Sequence, residues 1–190
     1  MRKATTRHSS GRVRIIGGQW RGRKLDVPDA PGLRPTPDRV RETLFNWLAG
    51  RIQGAHCLDL FAGSGVLGLE ALSRGAGYCD FVDISRSATD GIRKHLALLD
   101  VESCAAVHCQ SGLQWQGGPA DIVFLDPPFT ADLLAASLNH LENTGLLAPG
   151  ARIYVEMGSE QKPPVLPASM AVLRDKTAGG VRYLLLAAED

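Results

Sequence analysis

Ala55-His56-Cys57-Leu58-Asp59-Leu60-Phe61, then Ala62-Gly63-Ser64-Gly65, then Val66-Leu67-Gly68-Leu69-Glu70-Ala71-Leu72 is the stretch on which the fold turns. The first seven residues form a short, largely apolar run of strand length, and the last seven carry apolar residues at helical spacing. Between them two glycines bracket a serine, the composition of a tight turn. Strand, glycine turn and helix in that order predict a βαβ unit with a cofactor crevice at the strand's carboxyl end.

The spacing Gly63, Gly65, Gly68 satisfies a dinucleotide fingerprint, and Asp83 stands twenty positions after Gly63, where a ribose-binding acid belongs. A nicotinamide enzyme is therefore one reading. Asp59 argues against it, because it ends the strand within a few residues of a loop that would receive a doubly charged pyrophosphate, and like charges at close range are costly. The same carboxylate suits S-adenosylmethionine, which carries a sulfonium and an α-ammonium but no phosphate. Asp83 can accept from both ribose hydroxyls of either cofactor and does not discriminate.

Asp126-Pro127-Pro128-Phe129 follows the apolar run Ile122-Val123-Phe124-Leu125, which reads as a buried parallel strand. Asp126 thus falls at a strand's carboxyl edge. The two prolines fix their own φ and push the residue before each toward an extended backbone, so no helix begins at once. Two acceptors stand side by side, the Asp126 carboxylate and the Pro127 carbonyl, able to take both N–H protons of a nucleobase amine. That amine's lone pair is delocalised into the ring, and accepting its protons opposes the delocalisation. After methyl transfer the nitrogen is cationic and acidic, so Asp126 at an ordinary pKa of about 3.9 is expected to suffice for taking the proton. Phe129 offers a flat face for stacking.

Downstream, Tyr78 to Val82, Ala105 to His108, Ile122 to Leu125 and Arg152 to Met157 read as strands, separated by helices around Arg86 to Leu98 and Ala131 to Glu142. This repetition predicts an α/β, doubly wound, mostly parallel sheet. Met170 to Leu173 and Val181 to Ala187, around Thr177-Ala178-Gly179-Gly180, read instead as a C-terminal antiparallel hairpin. Pro163, Pro164 and Pro167 mark a surface loop before it. Upstream, Thr36 is placed to cap a helix whose first position is Pro37 and whose apolar face is Val40, Leu44, Trp47 and Leu48.

The net charge of +1 conceals an asymmetry. Residues 1–41 hold eleven Lys or Arg against three acids, and the remainder ten against seventeen. A basic arm for an anionic partner, attached to an acidic body, is expected. Val13 to Ile16 and Arg23 to Val27 suggest two short strands around a glycine turn. There Arg12, Arg14, Arg21, Arg23 and Lys24 accompany Trp20, a mix suited to gripping phosphates and stacking a base. Arg34 in the proline-rich connector, and Arg39 and Arg41 on the helix, extend the candidate RNA-binding set, although a solvated helix face explains the last two equally well. The division expected is residues 1–36 as tail and hairpin extension and residues 37–190 as the catalytic domain.

With 44% hydrophobic and 22% charged residues, a sizeable core is available. Cys57, Cys79, Cys104 and Cys109 show no metal-ligand spacing and read as reduced packing residues. His8, His56, His95, His108 and His140 have no recurring partner, so packing or surface roles are expected and no metal. No segment approaches the roughly 18 apolar residues of a membrane span, and the basic N-terminus lacks an apolar run of signal-peptide length, so a cytoplasmic protein is expected.

These residues together resemble the RsmD-type small-subunit rRNA guanine-N2 methyltransferases. The shared blocks are Arg14 to Leu25, Pro31 to Thr36 continuing through Asp38 to Phe45, Asp59 to Gly68, and Asp126 to Phe129; the first two are the more family-specific. The resemblance implies a Rossmann-like class I methyltransferase fold, S-adenosylmethionine as donor, and a guanine of 16S rRNA within an assembling small ribosomal subunit as acceptor. A monomer is expected. Carried over by position, it assigns Asp59, Phe61, Gly63, Ser64, Gly65, Asp83, Ile84, Gln110 and Ser111 to the cofactor, and Asp126, Pro127 and Phe129 to the target base. At Ser85 and at Gln110-Ser111 the chain departs from the acid or asparagine that similar enzymes often carry. An adenine-N6 methyltransferase on DNA or RNA, and a ribosome-assembly RNA-binding protein without catalysis, are the rival readings.

Overall fold

Each β-branched or aromatic run in the C-terminal four-fifths of the chain forms a strand, and each run of helical spacing a helix, in the computed structural model, which describes residues 11–27, 36–128 and 131–189. Among these residues the strands are β1 Gly11–Arg14, β2 Lys24–Val27, β3 His56–Asp59, β4 Tyr78–Asp83, β5 Ala105–Cys109, β6 Ala120–Leu125, β7 Leu147–Gly158, β8 Met170–Ala178 and β9 Val181–Ala188. The helices are α1 Asp38–Trp47, α2 Val66–Ser73, α3 Arg86–Leu99 and α4 Ala131–Asn143. Strands β3 to β9 form one sheet in the order β5-β4-β3-β6-β7-β9-β8, parallel except where β9 joins β7 and β8. This is the doubly wound, Rossmann-like sheet with a C-terminal antiparallel hairpin that the alternation of elements predicts.

The two faces of the sheet bury separate cores because successive residues of a strand point to opposite sides. Cys57, Phe81, Ile122, Phe124 and Tyr154 pack with α1, α2 and α3 on one face. Leu58, Val82, Val123, Leu125, Ile153 and Val155 pack with Trp115 and α4 on the other. Strand β7 starts earlier than the expected Arg152, at Leu147, because the β6–β7 register shifts between the pairs Ala120 with Leu147 and Ile122 with Arg152. That irregularity absorbs Pro149 and the left-handed Gly150, φ 67°, which read as a strand break in one dimension.

The start of α1 also differs from expectation. Pro37, with ψ 145°, is the residue flanking the helix, and its carbonyl accepts the amides of Val40 at 2.9 Å and Arg41 at 3.1 Å. Thr36 therefore caps nothing, and its hydroxyl serves elsewhere.

Strands β1 and β2 form a separate antiparallel pair with Val13 opposite Leu25. Val13, Ile15, Leu25 and Val27 are buried in the same core as α1 and α2. Close backbone approach fixes the contact: a Cβ at Gly18, φ 74°, would overlap the Ser73 carbonyl. Ser73 Oγ donates to the Gly17 carbonyl at 2.6 Å, and the Gln19 amide donates to the Ser73 carbonyl at 2.8 Å.

Candidate active site

Five neighbouring strands bring their carboxyl ends to one edge. In spatial order these carry Gln110 and Ser111 after β5, Asp83 at the end of β4, Asp59 at the end of β3, Asp126 after β6 and Glu156 near the end of β7. Chain order reverses between β3 and β6, which makes the crevice outside them the topological switch point. Asp59 pairs in register with Phe124, so Asp126 stands two residues beyond it on the adjacent strand and faces the same core. The strand ends that carry Asp59 and Asp126 are adjacent.

The glycine turn is shaped by two carboxylates. Asp59, 2% exposed, accepts the Gly68 amide at 3.1 Å and so faces the first turn of α2. Asp83 accepts the Gly63 amide at 2.8 Å and the Ser85 amide at 2.7 Å, tying the turn to the end of β4. Each of its oxygens retains lone-pair capacity for a ligand hydroxyl. Gly65, φ 75°, precedes α2, and a Cβ there would press on Ile92. A Cβ at Gly68 would overlap the Phe81 ring and the Cys79 sulfur, so this glycine sets how closely α2 lies on β4. Ser64 is buried, and Phe61 is half-buried against the α4-side core. Ile84 is 76% exposed, an apolar platform beside the Gln110 amide, which donates to the Asp83 carbonyl at 3.1 Å. Ser111 is half-buried at the start of a 3-10 turn. Ser85, where the chain departs from similar enzymes, accepts the Ala88 amide at 3.3 Å and caps α3.

Asp126 differs from the expectation of an ordinary pKa. Its carboxyl is held well above the usual carboxylate range, first by burial, then by the charges of Glu156 and Asp59, against which the Thr36 hydroxyl, 3.4 Å away, donates a stabilising hydrogen bond. Asp59 is pushed up to about 7, chiefly by burial and also by Asp83, with the Gly68 amide opposing. Burial likewise raises Glu156, opposed by the Tyr154 hydroxyl, which donates to it at 2.8 Å, and by Thr36. No Lys or Arg forms an ion pair with any of the three among the described residues. Asp59, Asp83, Asp126 and Glu156 thus gather at one edge with no paired Lys or Arg among the described residues, and in their ionised forms they suit a cationic ligand and disfavour a pyrophosphate. Pro127 is buried beside Asp126. Phe129 and Arg34 lie outside the described residues.

The basic residues of the hairpin divide into two groups. Arg21, Lys24 and Arg39 are exposed and make no ion pair among the described residues. Arg12 pairs with Asp26 at 2.9 Å and Arg14 with Asp38 at 3.0 Å, both at the surface, while Arg23 donates to the Leu98 carbonyl at 3.3 Å. Trp20 is half-buried, packed against the core. Arg41 is a correction to the RNA-binding set: it is 0% exposed and cannot reach a nucleic acid from there. Its guanidinium bonds Glu70, Asp38 and the carbonyls of Arg14 and Thr36, so it spans the hairpin, α1 and α2.

A family model described as Conserved hypothetical protein 95 matches residues 13–187. A protein of Escherichia coli strain K12 named Ribosomal RNA small subunit methyltransferase D is 52% identical over 185 residues, covering 96% of this chain and 93% of that one. The chain belongs to the ribosomal RNA small subunit methyltransferase D family. A Haemophilus influenzae member of the same name is 45% identical over 191 residues, covering 97% of this chain and 98% of its own. A solved structure titled putative methyltransferase yhhF from Escherichia coli superposes with a TM-score of 0.88 at 49% identity, covering 94% of this chain and 99% of that one.

In this member of the family, several connected residues escape a linear reading. Glu70, 0% exposed, accepts the Ile16 amide at 2.9 Å and pairs with both Arg41 and Arg74, yet in sequence it is one acid in an apolar helix. Glu156 is likewise a lone acid in the buried run Ile153 to Met157; its signal is that it lies near the carboxyl end of a strand, as Asp59 and Asp126 do. His56 and His108 share Asp80, each with Nε2 2.8 Å from one of its oxygens, so two histidines expected to lack a common partner have one. Cys57 and Cys79 are buried and Cys104 half-buried, whereas Cys109 is exposed rather than a packing residue; all four are free. Among the described residues no His, Cys, Asp and Glu cluster is arranged to hold a metal ion, and no helix is long and apolar enough to cross a membrane.

Proposed function

We propose that this protein is an enzyme that transfers a methyl group from S-adenosylmethionine to the exocyclic N2 of a guanine in 16S rRNA, acting on an assembling small ribosomal subunit as a cytoplasmic monomer. One observation carries the reading: Asp126 and Pro127 stand at the switch point beside Asp59 and its glycine turn, in a chain 52% identical to a protein named small subunit methyltransferase D. S-adenosylmethionine, when bound, supplies an electrophilic methyl group on a sulfonium. Asp59 and the turn Gly63-Ser64-Gly65 hold the cationic end of that ligand, Asp83 accepts from its ribose hydroxyls, and Phe61, Ile84, Gln110 and Ser111 flank its base. The acidic lining supports this ligand over a phosphate-bearing one.

The Asp126 carboxylate and the Pro127 carbonyl accept the two N–H groups of the target amine, with Phe129 stacking on the base once it has left its helix. The amine nitrogen would gain the methyl group as the methyl–sulfur bond breaks, the bond's electron pair staying on sulfur in S-adenosylhomocysteine, and would become cationic. Its proton then passes to Asp126, whose buried and acidic surroundings favour the protonated carboxyl and so make it a stronger base than a solvated aspartate. Residues 37–190 are assigned catalysis, and residues 1–36 an RNA-gripping extension in which Arg12, Arg14, Arg21, Arg23 and Lys24, with Arg34 and Arg39, contact phosphates. The pairs Arg12 with Asp26 and Arg14 with Asp38 are solvent-exposed, worth about 0–1 kcal/mol each, and exchange readily for phosphate.

The test is to offer radiolabelled S-adenosylmethionine with unmodified small subunits, naked 16S rRNA and duplex DNA in parallel, followed by nucleoside analysis. Labelled N2-methylguanosine from the subunit or its RNA is expected. N6-methyladenosine, or no incorporation at saturating donor, overturns the reading.

A further inference from the structure

Strand register places a second acid beside Asp126. Leu125 of β6 pairs with Val155 of β7, so the next residues along the two parallel strands, Asp126 and Glu156, are neighbours at the carboxyl edge. Both continue the face that carries Phe124 and Tyr154. Glu156 is 4% exposed. The hydroxyls of Tyr154, at 2.8 Å, and Thr36 both donate to it, no Lys or Arg forms an ion pair with it among the described residues, and a carboxylate retains lone-pair capacity beyond two donors. The methyl-transfer step derived above uses Asp126 and leaves Glu156 without a role. Opposite it on β9 is Tyr183, so the side chains beside it supply no compensating cation. A carboxylate buried in this way needs further donors, and a ligand entering the crevice can provide one.

Guanine and adenine differ at the ring atom next to the reactive amine. In guanine N1 carries a hydrogen and lies beside the N2 amine, so the Watson–Crick edge offers a contiguous row of donors. In adenine N1 is an acceptor beside the N6 amine. β6 lies between β3 and β7, so a purine whose amine sits on Asp126 with its N1 side turned toward β7 meets Glu156.

We propose that Glu156 is the specificity-determining residue of this site, accepting the N1–H of a target guanine and rejecting a purine whose N1 bears a lone pair. The inference rests on the guanine-N2 reading above. With Glu156 ionised, rejection operates through repulsion as well as lost attraction, because an acceptor facing the carboxylate leaves both groups unpaired in a buried site. Tyr154 fixes the carboxylate through its hydroxyl, and the Thr36 hydroxyl, which reaches both Asp126 and Glu156, ties the two acids to one another. That Glu156 is among the charges raising Asp126 agrees with their proximity.

2-Aminopurine tests this, since it keeps the 2-amine of guanine but carries a lone pair at N1. The full-length protein is given 16S rRNA bearing either guanine or 2-aminopurine at the nucleotide mapped as methylated, with labelled S-adenosylmethionine. Wild type is expected to prefer guanine in kcat/KM by at least about 1,000-fold, the scale on which a site built to bond a polar group rejects an analogue lacking it. In Glu156→Gln the side-chain amide donates to N1 of 2-aminopurine, and the preference is expected to fall below about tenfold, with S-adenosylhomocysteine affinity by calorimetry within twofold of wild type. An unchanged guanine preference in a folded Glu156→Gln overturns the proposal, as does a wild type that methylates both RNAs equally. Where Glu156→Gln does not fold, Glu156→Asp decides: it withdraws the acceptor and should lower kcat/KM on guanine at least tenfold, and unaltered turnover overturns the inference. A wild type that forms no N2-methylguanosine at all instead refutes the functional reading on which this one stands.

Discussion

Replacing Asp59 by Asn should stabilise the ligand-free protein at neutral and alkaline pH while removing its affinity for donor. The side chain is 2% exposed, and burial pushes its pKa from an ordinary 3.8 up to about 7. Below pH 3.8 the group is protonated in both folded and unfolded chains and costs nothing. Between pH 3.8 and about 7 the unfolded chain releases the proton while the fold retains it, so stability falls as pH rises, reaching a plateau above about 7. At roughly 1.4 kcal/mol for each pH unit across that gap, the loss at pH 8 is about 4 kcal/mol. Asn at this position keeps an oxygen to accept the Gly68 amide and does not titrate. The melting temperatures of variant and wild type should therefore nearly coincide at pH 4 and diverge to roughly 10 °C in favour of the variant at pH 8. Calorimetric titration with S-adenosylhomocysteine at pH 8 should show binding weakened at least tenfold in the same sample. A melting difference that is equal at the two pH values, or that favours wild type at pH 8, refutes the reasoning that burial holds this acid high.

Asp126→Ala should lower kcat at least a hundredfold, a barrier increase of about 2.7 kcal/mol, with donor affinity little changed; near-normal turnover by filter-binding assay removes the acid from the chemistry. Arg41→Ala should cost about 3 kcal/mol in urea denaturation, because it leaves Glu70 and Asp38 without their shared cation and frees the hairpin; a loss under about 1 kcal/mol counts against that keystone role. Substituting Arg21 and Lys24 together by Ala should weaken binding of 16S rRNA and flatten the slope of log affinity against log salt by about 2, and an unaltered slope in fluorescence anisotropy takes the hairpin out of the RNA interface.

The strands and helices were legible because each carries its periodicity within one short segment. The runs before Asp59 and Asp126 are buried on both faces and read as continuous apolar blocks, while α3 shows its stripe as Ala88, Ile92, Leu96 and Leu99. The strand–turn–helix unit around Gly63 to Gly65 was legible for the same reason, since its strand end, glycine turn and helix start are contiguous in the chain. What misled a linear reading were residues whose partners lie far away. Thr36 has the composition and position of a helix cap, but its hydroxyl lies within reach of Asp126, ninety residues later. Arg41 sits among the exposed positions of a charged helix in sequence and is in fact sealed beneath the hairpin by Glu70, twenty-nine residues on.

Periodicity, turn composition and the isolated acids at strand ends determined by themselves the parallel sheet, its antiparallel C-terminal hairpin, and the placing of Asp59 and Asp126 at strand carboxyl ends, because these depend on local backbone preference and on which side chains avoid water. Only the tertiary structure decided that Asp59, Asp126 and Glu156 share one face without a cation, and that Arg41 belongs to the core. Ionisation and accessibility depend on neighbours brought together through space across intervals of dozens of residues, and the order of residues along the chain carries no distance of that kind.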